Sequence, residues 1–288
     1  MPPNSANSFD NLISEYDDGW KPSFLNHREP MPVELLEGNT GVSPSGNQST
    51  ANHCQAIDAF LVERGLIKPY EKRFLADLIT IDIERSWMAW NRWLPTRHTD
   101  ANPDQVMMVF DFLPTMEAYI ELLGDVSPKA GYWNDIAESE YAARHEWGDS
   151  IGVEHYRRKF GLELRCDMAK STHHVRIGWR SRHEGVADTQ SFPLRGRLTI
   201  GRRRSCDPID QRLFEFLDGQ RLVVAERTEN NISREQLWVQ LLNPKLAAIC
   251  NTGNSPMEFS KNLLPSNKKT LAEFPFTIEI DGKKLFFG

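Results

Sequence analysis

The hydrophobic residues of this chain change their period near Gly161, and no single layer of secondary structure accommodates both halves. Before that point Ala56, Phe60 and Leu61, then Phe74, Leu78, Ile81, Trp87, Trp90 and Leu94, recur at three- and four-residue steps, the spacing of one helix face. Pro69 is expected to open the second of these helices as a first-turn residue, and Pro95 to end it. Further helices are expected over Asp104 to Leu113, Thr115 to Leu123, Trp133 to Trp147 and Ile151 to Phe160, broken by Pro114, by Gly124 to Gly131 and by Gly148-Asp149. Trp87, Trp90 and Trp93 fall at helical spacing, which reads as core packing in preference to a binding stripe.

After Gly161 the apolar runs shorten: HHVRIGWRSR, QSFPL, RLTIGR, RLVVAE, QLWVQLL, KLAAIC, FPFTIEI and KKLFF, each bounded by Gly, Asn, Pro or Asp. So many short strands in succession indicate a β-sandwich. The expected fold class is therefore multi-domain, an N-terminal all-α helical domain over 51–163 followed by an all-β sandwich over 173–288, with the boundary near 163–172. Residues 1–50 are rich in Asn, Ser, Pro and Gly and read as a mostly disordered arm, with a short docking segment considered at Asp10 to Trp20.

Charge and motifs narrow the function classes. The net charge of -6 opposes a general nucleic-acid binder. No apolar run approaches the roughly 18 residues of a membrane span, and the first residues lack the basic start and apolar stretch of a secretory signal, so a cytoplasmic protein without a membrane partner is expected. Cys54, Cys166, Cys206 and Cys250 stand apart from one another, His145-Glu146 lacks the second histidine of a zinc-protease helix, and His173-His174 would point to opposite faces of a strand. Neither a metal nor another cofactor is expected. Glycine-rich phosphate loops and nucleophile elbows are missing, and the pairs Glu138/Glu140 and Asp82/Glu84 diverge on a helix, so a non-enzymatic protein is expected.

Arginines instead concentrate in one stretch of the β half: Arg176, Arg180, Arg182, Arg195, Arg197, Arg202, Arg203 and Arg204. A guanidinium fork suits a phosphate dianion. LTIGRRRSCDP places Gly201-Arg202 at a strand end, NNISREQLWVQL places Ser233-Arg234 in a loop before the next strand, and CNTGNSPMEF supplies Asn254 from a third loop. A hydroxyl and a guanidinium on neighbouring loops can share the oxygens of one phosphate.

This order of strand, IGR, long gap, ISR, two strands, asparagine loop and final hairpin resembles the forkhead-associated (FHA) domain over about residues 173–288. The resemblance implies a β-sandwich that binds phosphothreonine peptides. It assigns phosphate contact to Arg202 and Ser233, peptide-backbone contact to Asn254 with Asn251 as the competitor, and loop shaping to Gly201 and Gln236; Arg234 counts among the phosphopeptide-binding residues and helps shape its loop, with Arg203, Arg204 or Arg234 adding positive field. Two positions depart from the family: Gln236 replaces its bracing histidine, and Ser255 with Pro256 replaces the glycine after its asparagine. An amide still donates and accepts hydrogen bonds. PIDQRLFEFLDGQ is an insertion between the two phosphate loops.

The helical half resembles the segment that precedes kinase domains in planctomycete serine/threonine kinases. The resemblance rests on Ile81-Asp82-Ile83-Glu84-Arg85-Ser86-Trp87, on Glu140-Tyr141 through Arg144, on Gly148-Asp149 and on Tyr156 to Phe160. Together the two resemblances imply a non-enzymatic signalling adaptor. Its partner would be a phosphothreonine-containing protein, a serine/threonine kinase or a kinase substrate. Two other readings are a degenerate FHA-like scaffold that associates without phosphate and a regulatory component that contacts nucleic acid.

Overall fold

The computed structural model describes residues 6–21, 47–94, 102–124, 126–127, 129–165, 174–180, 187–208, 213–214, 216–217 and 221–288. Helices occupy the first half: α1 Ala6–Gly19, α2 Asn47–Glu63, α3 Lys72–Trp93, α4 Pro103–Asp111, a 3-10 turn Met116–Tyr119 running into α5 Ile120–Leu123, α6 Gly131–Trp147 and α7 Val153–Phe160. Strands occupy the second: β1 His174–Arg180, β2 Ala187–Pro193, β3 Arg197–Arg202, β4 Phe216–Leu217, β5 Arg221–Ala225, β6 Leu237–Asn243, β7 Leu246–Asn251, β8 Met257–Phe259, β9 Asn262–Leu264, β10 Lys269–Glu273, β11 Phe276–Ile280 and β12 Lys283–Phe287. The expected fold class, an all-α part followed by an all-β sandwich, is the one observed. By compactness the chain divides into one unit of 1–96, 108–143 and 153–167 and a second of 97–107, 144–152 and 168–288.

Pro69 does not open α3. The helix begins at Lys72, because Glu71 caps it: its carboxylate accepts from the backbone N–H groups of Arg73 (3.0 Å) and Phe74 (2.5 Å). Its inner face carries Phe74, Leu78, Ile83, Trp87 and Trp90 into the core, and the Trp87 indole donates to the carbonyl of Pro114 at 3.1 Å. The tryptophan stripe is therefore mainly packing. α1 takes in the Asp10–Trp20 segment up to Gly19 and lies on this face through Phe9 against Phe74 and Asp17 against Arg85.

Much of the motif block of the helical half is internal architecture. Asp82 is buried and accepts from the Trp20 indole (2.7 Å) and the Tyr119 hydroxyl (2.6 Å), and pairs with His53 Nδ1 (2.9 Å). His53 Nε2 meets the Phe112 carbonyl at 3.2 Å. With an acceptor at each ring nitrogen, the imidazolium form satisfies both. Burial disfavours that charge, but the hydrogen bond and charge of Asp82 outweigh it and raise the His53 pKa. For Asp82 the His53, Tyr119 and Trp20 hydrogen bonds likewise outweigh burial and hold the carboxyl below its ordinary range. Buried Glu140 accepts from the Met116 N–H that starts the 3-10 turn. Buried Arg144 and Asp149 form a two-pronged ion pair at 2.8 and 2.6 Å across the turn that ends α6.

The β half is two six-stranded sheets, ordered β2-β1-β12-β11-β8-β9 and β10-β7-β6-β3-β5-β4. One apolar core lies between them, with Val175, Ile278, Leu285 and Phe287 from the first sheet and Leu198, Ile200, Leu222, Val239 and Ile249 from the second. β6 and β7 are buried along their whole length, the polar Gln240, Asn243 and Asn251 included. The β3–β5 pair is parallel, so the chain must cross over between them, and the insertion after Arg204 provides the length. Residues 209–212, 215 and 218–220 of that insertion lie outside the described residues.

Candidate functional site

Three turns converge at one end of the second sheet: the one after β3, the one before β6 and the one after β7. The β3 ladder slips register between Gly201 and Arg202, which turns Arg202 out of the strand pattern. At Gly201 the backbone runs so close to the next loop that a Cβ would lie 2.6 Å from the Arg234 carbonyl carbon and 2.8 Å from the Ser233 carbonyl oxygen. Only glycine permits this approach without moving backbone. The Arg202 N–H donates to that Ser233 carbonyl at 3.0 Å, and the Gln236 N–H donates to the Ile200 carbonyl at 2.8 Å, so the first two turns are stitched together.

Gln236 does the bracing. Buried to 1% exposure, its Oε1 accepts from the Ser233 N–H at 3.0 Å, while its Nε2 donates to Asn251 Oδ1 at 3.0 Å and leans on the Ser255 carbonyl at 3.4 Å. Its backbone carbonyl takes the N–H groups of Thr252 and Gly253, each at 2.9 Å. One side chain thus ties the Ser233 turn to the Asn254 turn. Gly253 lies against that amide, and a Cβ there would fall inside its van der Waals envelope.

The two asparagines have different surroundings. Asn251 is fully buried; its Nδ2 donates to the carbonyls of Ser255 and Leu264, both at 2.9 Å, and its Oδ1 accepts from Gln236 and from the Gly253 N–H. Asn254 is exposed, and its backbone N–H donates to the Ser233 hydroxyl at 3.3 Å. Arg202, Ser233 and Asn254 are therefore gathered at one place, with Asn251 beneath them as support. Ser255 and Pro256 beside it are exposed.

The arginines separate by partner. Arg202 is half-buried; its Nη1 donates to the Arg227 carbonyl at 2.5 Å and approaches Asn230 Oδ1 at 3.4 Å, while its Nε is buried with no hydrogen-bond partner among the described residues. Arg203 is buried and pairs with Glu226 at 2.9 and 3.2 Å, and that carboxylate raises its pKa. Arg204 pairs with Glu235, and Arg234 is exposed. Arg197 lies over the Trp238 ring at 4.4 Å. Arg182 and the side chains of Arg176 and Arg180 lie outside the described residues.

Sequence reasoning missed Arg221. It opens β5, the all-apolar strand LVVA follows it, and it is buried to 8% exposure under the first two turns. A lone cation at the head of a buried strand was the available signal. Among the described residues no group of three or more His, Cys, Asp or Glu side chains is placed to hold a metal, and no helix is long and apolar enough to cross a membrane.

No protein-family model matches the sequence, and no curated protein matches it. Among solved structures the chain is similar to the MEK1 FHA domain, at 15% identity over 41% of this chain and 88% of that one, with a TM-score of 0.29. It is similar to the yeast Dun1 FHA domain, solved with a doubly phosphorylated peptide derived from Rad53, at 17% identity over 43% and 82% of the two chains and a TM-score of 0.28. The FHA domain of the CT664 protein from Chlamydia trachomatis is similar at 6% identity over 40% and 95%, with a TM-score of 0.27.

Proposed function

We propose that the β-sandwich is an FHA-type phosphopeptide reader, that it takes phosphothreonine through Arg202 and Ser233 with Asn254 on the peptide backbone, and that the whole chain is a non-enzymatic signalling adaptor. The observation that carries this reading is the junction of Arg202, Ser233 and Asn254 on hydrogen-bonded turns, with a buried Arg202 Nε–H that has no hydrogen-bond partner among the described residues. Buried donors are almost always satisfied, so this Nε–H calls for an acceptor that the described residues do not supply. Gln236 supports the reading further, since it supplies the bracing that the family's histidine implied. Charge-assisted bonds to phosphate are worth roughly 1.5–3 kcal/mol each, so two of them give at least about a hundredfold preference for the phosphorylated threonine.

In this proposal the helical segment 51–163 docks a serine/threonine kinase or one of its substrates, in the cytoplasm. Its motif residues Asp82, Glu140, Arg144 and Asp149 are buried in structural contacts, so the docking surface would be formed by other residues. A phosphate-independent scaffold is the second reading; the hold of Arg227 and Asn230 on the Arg202 guanidinium favours it. Nucleic acid fits less well, because Arg203, Arg204 and Arg221 each face a carboxylate, of Glu226, Glu235 and Asp207. Titration of the full chain with phosphothreonine, phosphoserine and unphosphorylated peptide pools separates these readings: preference for phosphothreonine supports the reader, and equal binding of all three supports the scaffold.

A further inference from the structure

Arg221 is a buried cation placed between the two turns that carry Arg202 and Ser233, and none of the motifs assigns it a role. Its Nη2 donates to the carbonyl of Arg202 itself at 2.8 Å and to the carbonyl of Arg234, the neighbour of Ser233, at 3.1 Å. Its Nε lies 3.5 Å from Asp207 Oδ1, and its Nη2 lies 3.5 Å from Oδ2. Asp207 in turn accepts from the Arg204 N–H at 2.6 Å and so shapes the turn that follows Arg202. Nε and Nη1 are buried and have no geometric hydrogen bond among the described residues. Burial, followed by the nearby charge of Arg204, lowers the Arg221 pKa against the pull of Asp207, so its placement carries an electrostatic cost.

That cost is informative. A buried cation with donors that no described residue satisfies is a poor way to fill space, and an apolar side chain would fit the strand of Leu222, Val223 and Val224 better. What an apolar residue cannot do is hold two carbonyls from different turns and a carboxylate with one rigid plane. We propose that Arg221 is a positioning residue that clamps the Arg202 turn to the Ser233 turn and so fixes the spacing between guanidinium and hydroxyl on which phosphate discrimination depends. The inference deepens the phosphopeptide reading and rests on it for its functional half. Its structural half stands alone.

The test uses the full chain with Arg221→Lys and, because a lone buried Asp207 could unfold the sandwich, with Arg221→Met/Asp207→Asn. Lysine keeps the charge and loses the fork; the double variant removes both charges while the asparagine carbonyl can still accept from Arg204. Amide hydrogen exchange is measured without ligand, and peptide binding with the phosphothreonine pool and its unphosphorylated counterpart. The clamp predicts that the Arg202 amide exchanges roughly tenfold faster while β6 amides keep their protection. It also predicts that phosphopeptide affinity falls by about tenfold with unphosphorylated binding unchanged.

Unaltered Arg202 protection in both variants overturns the clamp, as does loss of protection spread evenly over the sandwich, which marks a general packing role. Faster Arg202 exchange with an undiminished phosphate preference overturns the functional half. If the unsubstituted protein shows no phosphate preference, the phosphopeptide reading falls and the exchange data alone decide the clamp.

Discussion

Replacing Gln236 by alanine should loosen the site and the sandwich together, and the structure sets the scale. The side chain is 1% exposed and makes two well-formed hydrogen bonds, from the Ser233 N–H and to Asn251 Oδ1, both at 3.0 Å. A buried polar group stripped of its partner costs about 1–3 kcal/mol. Asn251 Oδ1 keeps the Gly253 N–H at 3.1 Å, which puts its loss at the lower end, whereas the Ser233 N–H loses its acceptor outright. The sum is about 2–4 kcal/mol of lost stability for β6 and β7. Gly253→Ala provides the control, because its new Cβ collides with the Gln236 amide. Alone it should cost about 1–3 kcal/mol by overpacking. In the Gln236→Ala background that amide is gone, so the two costs should fall short of additivity by about 1–2 kcal/mol. Urea titration with hydrogen-exchange mass spectrometry on the β6–β7 peptides reads all four proteins without assuming that the whole chain unfolds in one step. A Gln236→Ala cost under about 0.5 kcal/mol, or costs additive within that margin, would refute the bracing argument.

Three further outcomes follow from the same contacts. Gly201→Ala should abolish phosphopeptide binding in a chain whose helical half still melts normally, since the collision is with the Arg234 and Ser233 backbone; peptide titration and thermal unfolding check it. Asp149→Ala should destabilise its surroundings by about 3–5 kcal/mol because it removes the two-pronged carboxylate partner of the buried Arg144 guanidinium, whereas Arg144→Met/Asp149→Leu should cost far less, by denaturant titration. The raised His53 pKa means that its contribution is complete below the ordinary imidazole value of about 6.5 and is lost as pH rises through the folded value. The lowered Asp82 pKa means the reverse, a contribution complete above the ordinary carboxyl value of about 3.9 and lost on acidification through the folded value. The helical half should therefore be most stable between about pH 4 and 6.5, and His53→Gln should flatten the alkaline side in melting curves across pH.

Periodicity made most of the architecture legible. Phe74, Leu78, Trp87 and Trp90 lie on the buried face that their spacing predicts, and the runs of β5 to β7 are buried throughout. What failed was local and electrostatic. Pro69 looked like a helix start, but the Glu71 carboxylate two residues later had the better capping geometry. The buried roles of Asp82 and Arg144 depend on partners far from them or across a turn, which spacing alone does not encode. Gly201, Arg202, Ser233, Gln236 and Asn254 stand out in the sequence because each lies at a strand end or in a short loop between apolar runs, and the structure brings the turns that carry them together. Arg203 and Arg204 read as free positive field, and they are paired with Glu226 and Glu235 because the intervening crossover returns the chain beside β3. Arg221 leaves only the signal of a cation at the head of an apolar strand, because its closest partners are backbone carbonyls that no motif records.

The central claim is that Arg202 and Ser233 jointly recognise phosphate. Fluorescence anisotropy of the full chain with a phosphothreonine peptide pool, repeated for Arg202→Ala and Ser233→Ala, tests it most directly. The account predicts binding that drops at least about tenfold with each substitution and falls to the level of the unphosphorylated pool with both. Binding that is the same with and without the phosphate in the unsubstituted, folded protein, or that survives both substitutions, would contradict it.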